Sequence, residues 1–373
     1  MGRLTTWARV MQLLGACAAW RQTPQKRDAD GAGGYGGAER GARGLLPSMK
    51  AYVYAPGGFA WTTTAPLPGA PAAGEVVVSV RAAALNPVDY KKADLLPSLL
   101  LRGAPAAQDF AGVVTASSSP SFAVGDAVFG TAEGCLAEQV KAPAASVCRM
   151  PAGLTFPQAA SLPTVALTGL QALRAGGLAR GGRCVVVGAS GGCGSAGVQL
   201  ARAIVGAEGV VVGVCSAGSA PLVRGLGACS EVLPYDALTP PELEAALARL
   251  GPFDTAYDTV SSWEKFDTAP GGAPWGALLR RFLAPGGTLA AINGSFAQWA
   301  WAAVGWQAKK FKLVMQQPSG PDLAHTAALV EGKQLAVVVD GGATHPFTAE
   351  GCAAAYARQR SRRAKGTVVV EMA

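Results

Sequence analysis

The sequence predicts an α/β protein of two domains, in which a barrel-like β domain precedes a doubly wound parallel sheet. A chain of 373 residues is long enough to build two cores. Between residues 49 and 140 it contains many short runs rich in β-branched residues, separated by turns such as 66–74 and 125–126. After Pro163, apolar strand-like segments alternate with helix-like segments, as in parallel sheets covered by helices.

The β domain opens with strand-like segments at residues 50–54 and 75–81, which are rich in β-branched and aromatic residues. Residues 113–114, 127–129 and 137–140 continue the series. Many short strands with turns between them are typical of a small β-barrel. We therefore predict a β-rich domain from residue 49 to about residue 164.

The second domain is predicted from short apolar strands that alternate with helices. Such strands are buried on both faces when the sheet is parallel, so they show no alternation of polar and apolar residues. The predicted strands are 183–188, 209–214, 231–233, 253–257 and 288–292. The predicted helices are 164–174, 197–204, 221–226, 241–250 and 275–282.

A glycine-rich turn joins the first of these strands to its helix, and residues 188–194 read Gly-Ala-Ser-Gly-Gly-Cys-Gly. Glycine lets the backbone approach a pyrophosphate closely, and the N–H groups at a helix N-terminus attract the anion. We predict that Gly191 permits a tight turn and that Gly194 lets the helix pack on the strand. The strand–turn–helix context favours dinucleotide binding over a chance glycine turn. The predicted cofactor-binding residues of the turn are Ala189, Ser190, Gly191, Gly192, Cys193 and Gly194.

The tip of the second strand separates NAD sites from NADP sites. An NAD site places Asp or Glu there to hold the ribose hydroxyls, whereas residues 214–218 read Val-Cys-Ser-Ala-Gly and contain no acid. A 2′-phosphate favours hydroxyl groups and a cation. The sequence therefore predicts NADPH as the cofactor, and the alternative for each candidate is an ordinary surface residue. The candidates are Ser216, Ser219, Arg224 and Tyr235.

Composition restricts the classes of partner. The net charge is +8, and residues 1–48 supply half of it, with seven basic and three acidic residues. The rest of the chain lacks a basic stripe interleaved with aromatic residues, so nucleic-acid binding is not expected. No apolar run reaches the ~20 residues that a membrane-spanning helix needs. The eight cysteines contain no C-x-x-C pair and are expected to be buried free thiols.

Residues 1–48 differ from the rest of the chain. They contain no acid before Asp28, and a Gly/Ala-rich stretch occupies residues 31–44. This pattern predicts a targeting segment followed by a flexible linker. Three kinds of signal remain open: a weak N-myristoylation pattern, a lipoprotein-like box at residues 14–17 and an organellar presequence. A start codon at Met49 is the further alternative.

Six motifs follow one another between residue 49 and the C-terminus. They lie at residues 86–91, 109–112, 124–130, 188–194, 283–288 and 363–370. In this order they resemble the zinc-free quinone oxidoreductase branch of the medium-chain dehydrogenase/reductase superfamily, in particular its zeta-crystallin-like and chloroplast-envelope members. The resemblance implies a GroES-like β-barrel catalytic domain at residues 49–164 and a doubly wound Rossmann domain, with a parallel sheet that binds NADP, at 165–311. Residues 312–373 would return to the catalytic domain.

The resemblance also implies an NADPH-dependent transfer of hydride to quinones or α,β-unsaturated carbonyls. A catalytic zinc needs three protein ligands. Residues 84–86 and 108–109, which replace the ligand positions of zinc relatives, contain neither Cys nor His, and the only histidines are His325 and His345. No metal site is therefore predicted, and an electrophilic π-system is the easier acceptor without a Lewis acid. The alternative is a non-catalytic NADPH-binding sensor or scaffold on the same fold.

The resemblance assigns roles to particular side chains. Asn86 and Thr168 would hold the nicotinamide edge or a substrate oxygen. Tyr90 would donate a proton or a hydrogen bond, and Lys91 would offer a cation to the ribose or the oxyanion. Asp89 is expected to cap the loop rather than to act in catalysis. Two further cofactor contacts complete the prediction, Asn293 and Lys365.

A tryptophan-rich segment at residues 296–312 ends in basic residues. It is interpreted as core or subunit contact, as an apolar wall for a hydrophobic substrate, or as a peripheral membrane-contact patch. The expected partner is a small hydrophobic electrophile, and the expected state is a monomer or a homodimer. Chloroplast is the first choice of location because of the resemblance, with mitochondrion and cytoplasm as alternatives.

Overall fold

A computed structural model of the chain describes residues 47–95, 101–261, 268–294, 298, 302 and 310–372. Its strands are β1 (Ser48–Ala55), β2 (Gly58–Pro66), β3 (Glu75–Leu85), β4 (Asp109–Ser117), β5 (Ala127–Thr131), β6 (Gln139–Pro143), β7 (Val147–Arg149), β8 (Arg183–Val187), β9 (Val210–Cys215), β10 (Glu231–Pro234), β11 (Phe253–Asp258), β12 (Leu283–Ala291), β13 (Phe311–Leu313), β14 (His345–Pro346) and β15 (Val368–Glu371). Its α-helices are α1 (Pro87–Leu95), α2 (Phe156–Ala160), α3 (Pro163–Ala175), α4 (Gly192–Val205), α5 (Ala220–Gly225), α6 (Pro240–Leu250), α7 (Trp275–Arg280), α8 (Gly320–Glu331) and α9 (Ala349–Arg360).

The first large sheet combines strands from both ends of the described chain. Its order is β14-β15-β3-β4-β5-β7, and β6 also pairs with β3. The C-terminal strand β15 runs antiparallel to β3, with Val368 opposite Leu85. Apolar side chains of β3 and β4, including Val78 and Phe110, are buried between this sheet and the elements packed on it. The C-terminal segment therefore closes the β domain.

The second large sheet is entirely parallel, in the order β10-β9-β8-β11-β12-β13. Val185 and Val186 of its central strand β8 are fully buried, which is why the strand reads as a continuous apolar run. Chain order reverses on either side of β8, since β9 lies on one side and β11 on the other. Ligands bind in such sheets outside the carboxyl ends of the strands at this switch point.

The predicted fold class is confirmed, and the differences are local. Helix α4 begins at Gly192 instead of residue 197, because its first turn consists of small residues that carry no apolar periodicity. Strand β12 begins at Leu283 instead of residue 288, with an irregular register opposite β11. Strand β13 pairs with β12, so residues 312 and 313 belong to the parallel sheet rather than to the C-terminal return.

Several predictions concern residues outside the described ranges. They include residues 1–46 of the predicted targeting segment and linker (residues 1–48), Cys17 and the three tryptophans of the segment at residues 296–312. The seven cysteines that the structure describes are free thiols; four are buried as predicted, whereas Cys148, Cys193 and Cys229 are partly exposed. Among the described helices, none has the length and apolar character needed to cross a bilayer.

Candidate active site between the two sheets

The glycine-rich turn follows β8 directly, and its conformation depends on Gly188. The φ angle of Gly188 is +79°, a value that favours glycine, and a Cβ there would overlap the Thr259 side chain. Gly191 has a φ of −78°, which any residue adopts. The positive φ of the turn therefore lies at Gly188, where the chain leaves the strand. Gly191 is the last residue of this tight turn, and its N–H closes the turn by donating to the carbonyl of Gly188 at 3.0 Å.

Gly194 brings the first turn of α4 against the end of β8. A Cβ at this position would overlap the carbonyl oxygen of Gly188. The predicted close packing is therefore present. The nearest atom to a Cβ at Gly191 would lie 3.6 Å away, so this part of the turn is open. An open backbone beside the N–H groups of a 14-residue helix is a cradle that fits a pyrophosphate.

The other residues of the turn connect it to its surroundings. Ala189 is fully buried, and its N–H donates to the carbonyl of Val214 at 3.0 Å. The carbonyl of Ser190 accepts from the N–H of Gly366 at 2.8 Å, which ties the turn to the C-terminal segment. Gly192 has no room for a side chain, because a Cβ would lie 2.8 Å from Val165.

Cys193 points into the protein between helices α3 and α4. Its thiol lies against Thr168 and Tyr257, and burial raises the pKa of the thiol to about 12. Thr168 is itself nearly buried on α3. The structure thus joins two predicted site residues, Cys193 and Thr168, and the thiol there is neutral rather than nucleophilic.

The predicted 2′-phosphate residues gather at the end of β9. The hydroxyls of Ser216 and Ser219 are 3.1 Å apart. Lys365 reaches the same loop from the C-terminal segment, and its Nζ donates to the carbonyl of Gly218 at 2.7 Å. Burial raises the pKa of the Cys215 thiol to about 11, while the charges of Arg224 and Lys365 lower it, so both cations lie near the strand end.

An acid also lies at the tip of β9, although residues 214–218 contain none, so the predicted absence of an acid at this edge is corrected. Asp236 Oδ1 accepts a hydrogen bond from the N–H of Ala217 at 2.6 Å. Asp236 follows β10, and β10 is the parallel neighbour of β9, so both chains emerge at one edge. The preceding Tyr235 packs edge-on against Trp275, with ring centroids 5.7 Å apart. The predicted neighbour strand at residues 231–233 was the signal that could have revealed this acid.

Asn86 stands at the start of α1 and is held on both its backbone and its side chain. Asp89 Oδ2 accepts from the Asn86 N–H at 2.7 Å, so Asp89 caps the loop as predicted. The Asn86 Nδ2 donates to Asp109 Oδ2 at 2.8 Å. Asp109 also accepts from the Thr164 hydroxyl at 2.7 Å and from the Thr164 N–H at 3.2 Å.

This network includes two residues that the sequence reading did not assign to the site. Asp109 is fully buried and Thr164 is 9% exposed. Burial raises the pKa of Asp109 to about 7, although its hydrogen bonds with Thr164 and Asn86 lower it. Asp109 is the first residue of one of the six motifs, and this position in the sequence could have identified it as a site residue. The network fixes the side-chain amide of Asn86 in one orientation.

Lys91 connects the two domains. Its Nζ donates to Asn293 Oδ1 at 3.0 Å, although the two residues are 202 positions apart in the chain. Asn293 follows β12 of the parallel sheet, whereas Lys91 lies on α1 beside the β domain. Tyr90 is 8% exposed, and the Arg360 guanidinium lies 4.7 Å from the centre of its ring. Tyr90 is thus part of the packing between α1 and α9.

Metal-ligand residue types are dispersed in the described part of the chain. No group of three His, Cys, Asp or Glu side chains there is placed to hold a metal ion. His325 lies on an exposed face of α8, and His345 begins β14.

Two family models match separate parts of the chain. The alcohol dehydrogenase GroES-like domain matches residues 72–162, and the zinc-binding dehydrogenase model matches residues 236–370. Among solved structures, the quinone oxidoreductase from Coxiella burnetii aligns with a TM-score of 0.70 at 23% identity, covering 87% of this chain and 99% of that one.

Several relatives by sequence are named as oxidoreductases or reductases. A mitochondrial NAD(P)H oxidoreductase of Bos taurus is 30% identical, over 74% of this chain and 76% of its own length. A trans-enoyl reductase of Aspergillus terreus is 31% identical, over 83% of this chain and 90% of its own length. A chloroplastic quinone-oxidoreductase homologue of Spinacia oleracea is 29% identical, over 81% and 91%. The chain therefore belongs to the medium-chain dehydrogenase/reductase superfamily and is a quinone oxidoreductase-like, NAD(P)-dependent oxidoreductase.

Proposed function

We propose that the protein is an NADPH-dependent reductase that transfers hydride to quinones or α,β-unsaturated carbonyls without a catalytic zinc. The observation that carries this proposal is the hydrogen bond from Lys91 Nζ to Asn293 Oδ1. It brings a cation of the β domain to the carboxyl end of β12, on the edge of the parallel sheet where ligands bind. A cation there stabilises negative charge that develops on a substrate oxygen.

Bound NADPH supplies the hydride, and the protein positions the reactants. Asp109 accepts a hydrogen bond from the side-chain N–H of Asn86. The Asn86 side-chain oxygen is therefore oriented to accept a hydrogen bond from a carboxamide or a hydroxyl. Thr168 adds a hydroxyl beside Cys193 of the glycine-rich turn. Lys91 supplies the positive charge. These side chains bind and orient, and their chemistry suits an acceptor that is already electrophilic.

The donor set supports a reaction without zinc. A catalytic zinc site uses three protein ligands, most often His, Cys and carboxylates. The chain has two histidines, and in the structure they lie on α8 and β14. The buried carboxylates Asp89 and Asp109 are both engaged with the Asn86 loop. Alcohol oxidation of the zinc-dependent kind uses the metal to stabilise the alkoxide, and no three potential zinc ligands lie together among the described residues.

We also propose an organellar location, with chloroplast first and mitochondrion second, and a small hydrophobic electrophile as the partner. The names of the spinach and bovine relatives contain these two locations. The chain is proposed to act as a monomer or a homodimer, and the basic tryptophan-rich segment as a peripheral membrane contact. A fluorescent fusion of residues 1–48 tests the location, and retention in the cytosol would contradict it.

The function is tested with purified full-length protein, NADPH and a panel of quinones, enals, enones and simple alcohols. We expect NADPH oxidation with at least one quinone or enone, and no change after dialysis against a strong chelator. Turnover of alcohols alone, or activity lost on chelation and restored by zinc, would contradict the proposal. Tight NADPH binding with no turnover on the whole panel would favour the sensor or scaffold alternative.

A further inference from the structure

The loop after β9 is held from two sides by side chains of opposite charge. Asp236 Oδ1 accepts from the N–H of Ala217 at 2.6 Å. Lys365 Nζ donates to the carbonyl of Gly218, the next residue, at 2.7 Å. Both side chains belong to exposed residues, and they come from separate parts of the chain. The backbone at the cofactor edge therefore lies between a carboxylate and an ammonium.

Sheet geometry places the carboxylate where it meets the cofactor. In a dinucleotide-binding sheet, the tip of the second strand faces the ribose that carries either a 2′-hydroxyl or a 2′-phosphate. Here that strand is β9, and Pro234 of β10 pairs with its last residue, Cys215. The residues after each strand emerge together, so Asp236 stands beside the tip although it is 20 positions beyond Ser216.

The carboxylate opposes a phosphate in two ways. It occupies the Ala217 N–H, a backbone donor of the kind that binds anions at such turns. It also adds a negative charge against the 2′-phosphate, which itself carries about −1.5 to −2 at neutral pH. The same carboxylate suits the hydroxyls of an unphosphorylated ribose, because carboxylates accept hydrogen bonds from them.

Two cations act in the other direction. Arg224 and Lys365 lower the pKa of the Cys215 thiol, while Asp236 raises it, so all three charges converge on the same strand end. Two positive charges and one negative charge leave a net attraction for a phosphate. That attraction is weaker than the serine and cation pattern alone indicates.

We propose that Asp236 is the specificity-determining residue that restrains the preference of this chain for NADPH over NADH. The inference rests on the proposed function, because it assumes that the edge of β9 binds a nicotinamide dinucleotide. Removing the charge of Asp236 increases the preference for NADPH. Asn is the informative substitution, since its side-chain oxygen still accepts from the Ala217 N–H and keeps the loop in place.

The test measures binding, not turnover. NADPH and NADH are titrated separately into full-length protein by cofactor fluorescence at low ionic strength. For Asp236→Asn we expect the Kd for NADPH to fall about tenfold, the effect of one unit charge near the surface, and the Kd for NADH to change less than about threefold. For Lys365→Met we expect the opposite change, a weaker binding of NADPH.

Two control variants make the result specific. Asp236→Glu keeps the charge and should keep a Kd ratio close to that of the native chain. Glu350→Gln removes an exposed carboxylate on α9 and should leave both Kd values unchanged. Melting temperatures of all variants show whether the fold is intact.

The outcomes separate this inference from the proposed function. If the native chain binds NADPH and Asp236→Asn leaves the Kd ratio unchanged, the inference is wrong and the cofactor assignment stands. If Asp236→Asn binds NADPH more weakly with an unchanged melting temperature, Asp236 supports the NADPH site and the inference is also wrong. If the native chain binds neither cofactor, the proposed function and this inference both fail.

Discussion

The two halves of the candidate site hold aspartates under opposite conditions. Asp89 and Asp109 lie in the β domain beside Asn86 and are fully buried, whereas Asp236 is exposed at the edge of the parallel sheet. Burial raises the pKa of Asp89 to about 8 and that of Asp109 to about 7. The buried pair acts mainly through fixed hydrogen bonds, while the exposed carboxylate acts through charge that solvent screens.

This difference shows what holds the functional groups in place in each half of the site. In the buried corner, the orientation of Asn86 depends on acceptors that have few alternative partners once water is excluded. At the cofactor edge, the backbone path depends on glycines and on hydrogen bonds from exposed charged side chains, such as the one that Lys365 donates to the carbonyl of Gly218. Changes in the buried corner should therefore affect stability and turnover together. Changes of exposed charged side chains at the cofactor edge should affect binding alone.

The largest effect is expected for Asp109→Ala. It leaves the Asn86 amide and the Thr164 N–H and hydroxyl without their buried acceptor. We expect the free energy of unfolding to fall by about 3 kcal/mol and kcat/KM to fall about 100-fold or more. Urea denaturation and steady-state kinetics measure both. The control Asp94→Ala removes a half-exposed carboxylate paired with Arg360 and should cost less than about 1 kcal/mol. Equal losses of unfolding free energy in the two variants would contradict the expected difference between buried and exposed carboxylates.

A pair of glycine substitutions tests the cofactor edge. A Cβ at Gly194 would overlap the Gly188 carbonyl, so Gly194→Ala must displace the start of α4. We expect a loss of about 1–3 kcal/mol in stability, as for other overpacked sites, and undetectable NADPH binding by fluorescence titration. Gly191→Ala meets open space at an ordinary φ, and should change stability by less than about 0.5 kcal/mol. A Gly194→Ala variant as stable as Gly191→Ala would show that the turn is not sterically fixed.

The pH dependence of stability tests the raised pKa values of the two buried carboxyls, Asp89 and Asp109. A carboxyl whose pKa is higher in the folded state than in the unfolded state binds more protons when folded. The contribution of Asp89 and Asp109 is therefore present below about pH 4 and is lost as the pH rises toward 8. We expect the free energy of unfolding to fall by several kcal/mol between pH 5 and pH 8.5, because each pKa unit is worth about 1.4 kcal/mol.

Asp89→Asn keeps an oxygen that can cap Asn86 and removes one of the two titrating groups, so it should flatten this slope. Urea midpoints at four or five pH values provide the measurement. A native chain whose stability rises between pH 5 and pH 8.5 would contradict the assignment of raised pKa values to the buried pair.

The smallest effect is expected at the contact that joins the two halves. Lys91→Met removes the ammonium that donates to Asn293 and should lower kcat about tenfold, equivalent to about 1.4 kcal/mol of transition-state stabilisation. The melting temperature should change little, because Lys91 is only partly buried. Lys91→Arg should restore much of the rate. Lys141→Met removes an equal charge beside Glu75 and serves as the control. An unchanged kcat in Lys91→Met would contradict the role of Lys91 on which the proposed function depends.

Local features were predictable from the sequence because they depend on near neighbours. Apolar runs of β-branched residues specify buried strands, and the spacing of glycines after β8 specifies a turn that leads into a helix. The cap of Asp89 on Asn86 spans three residues and was predicted for the same reason. The position of the positive φ at Gly188 was not predicted, because the pattern of glycines shows which residues can adopt it and not which one does.

The sequence by itself determined the two-domain α/β class, the glycine-rich turn and many of the polar residues from which the site is built, although not Asp109, Thr164 or Asp236. Only the tertiary structure decided which of them meet: Asn86 with Asp109 and Thr164, Lys91 with Asn293, and Asp236 and Lys365 with the tip of β9. The physical reason is that these contacts depend on strand order and register. Residues up to 202 positions apart are brought within hydrogen-bond distance by the packing of whole sheets, which no local pattern of residues encodes.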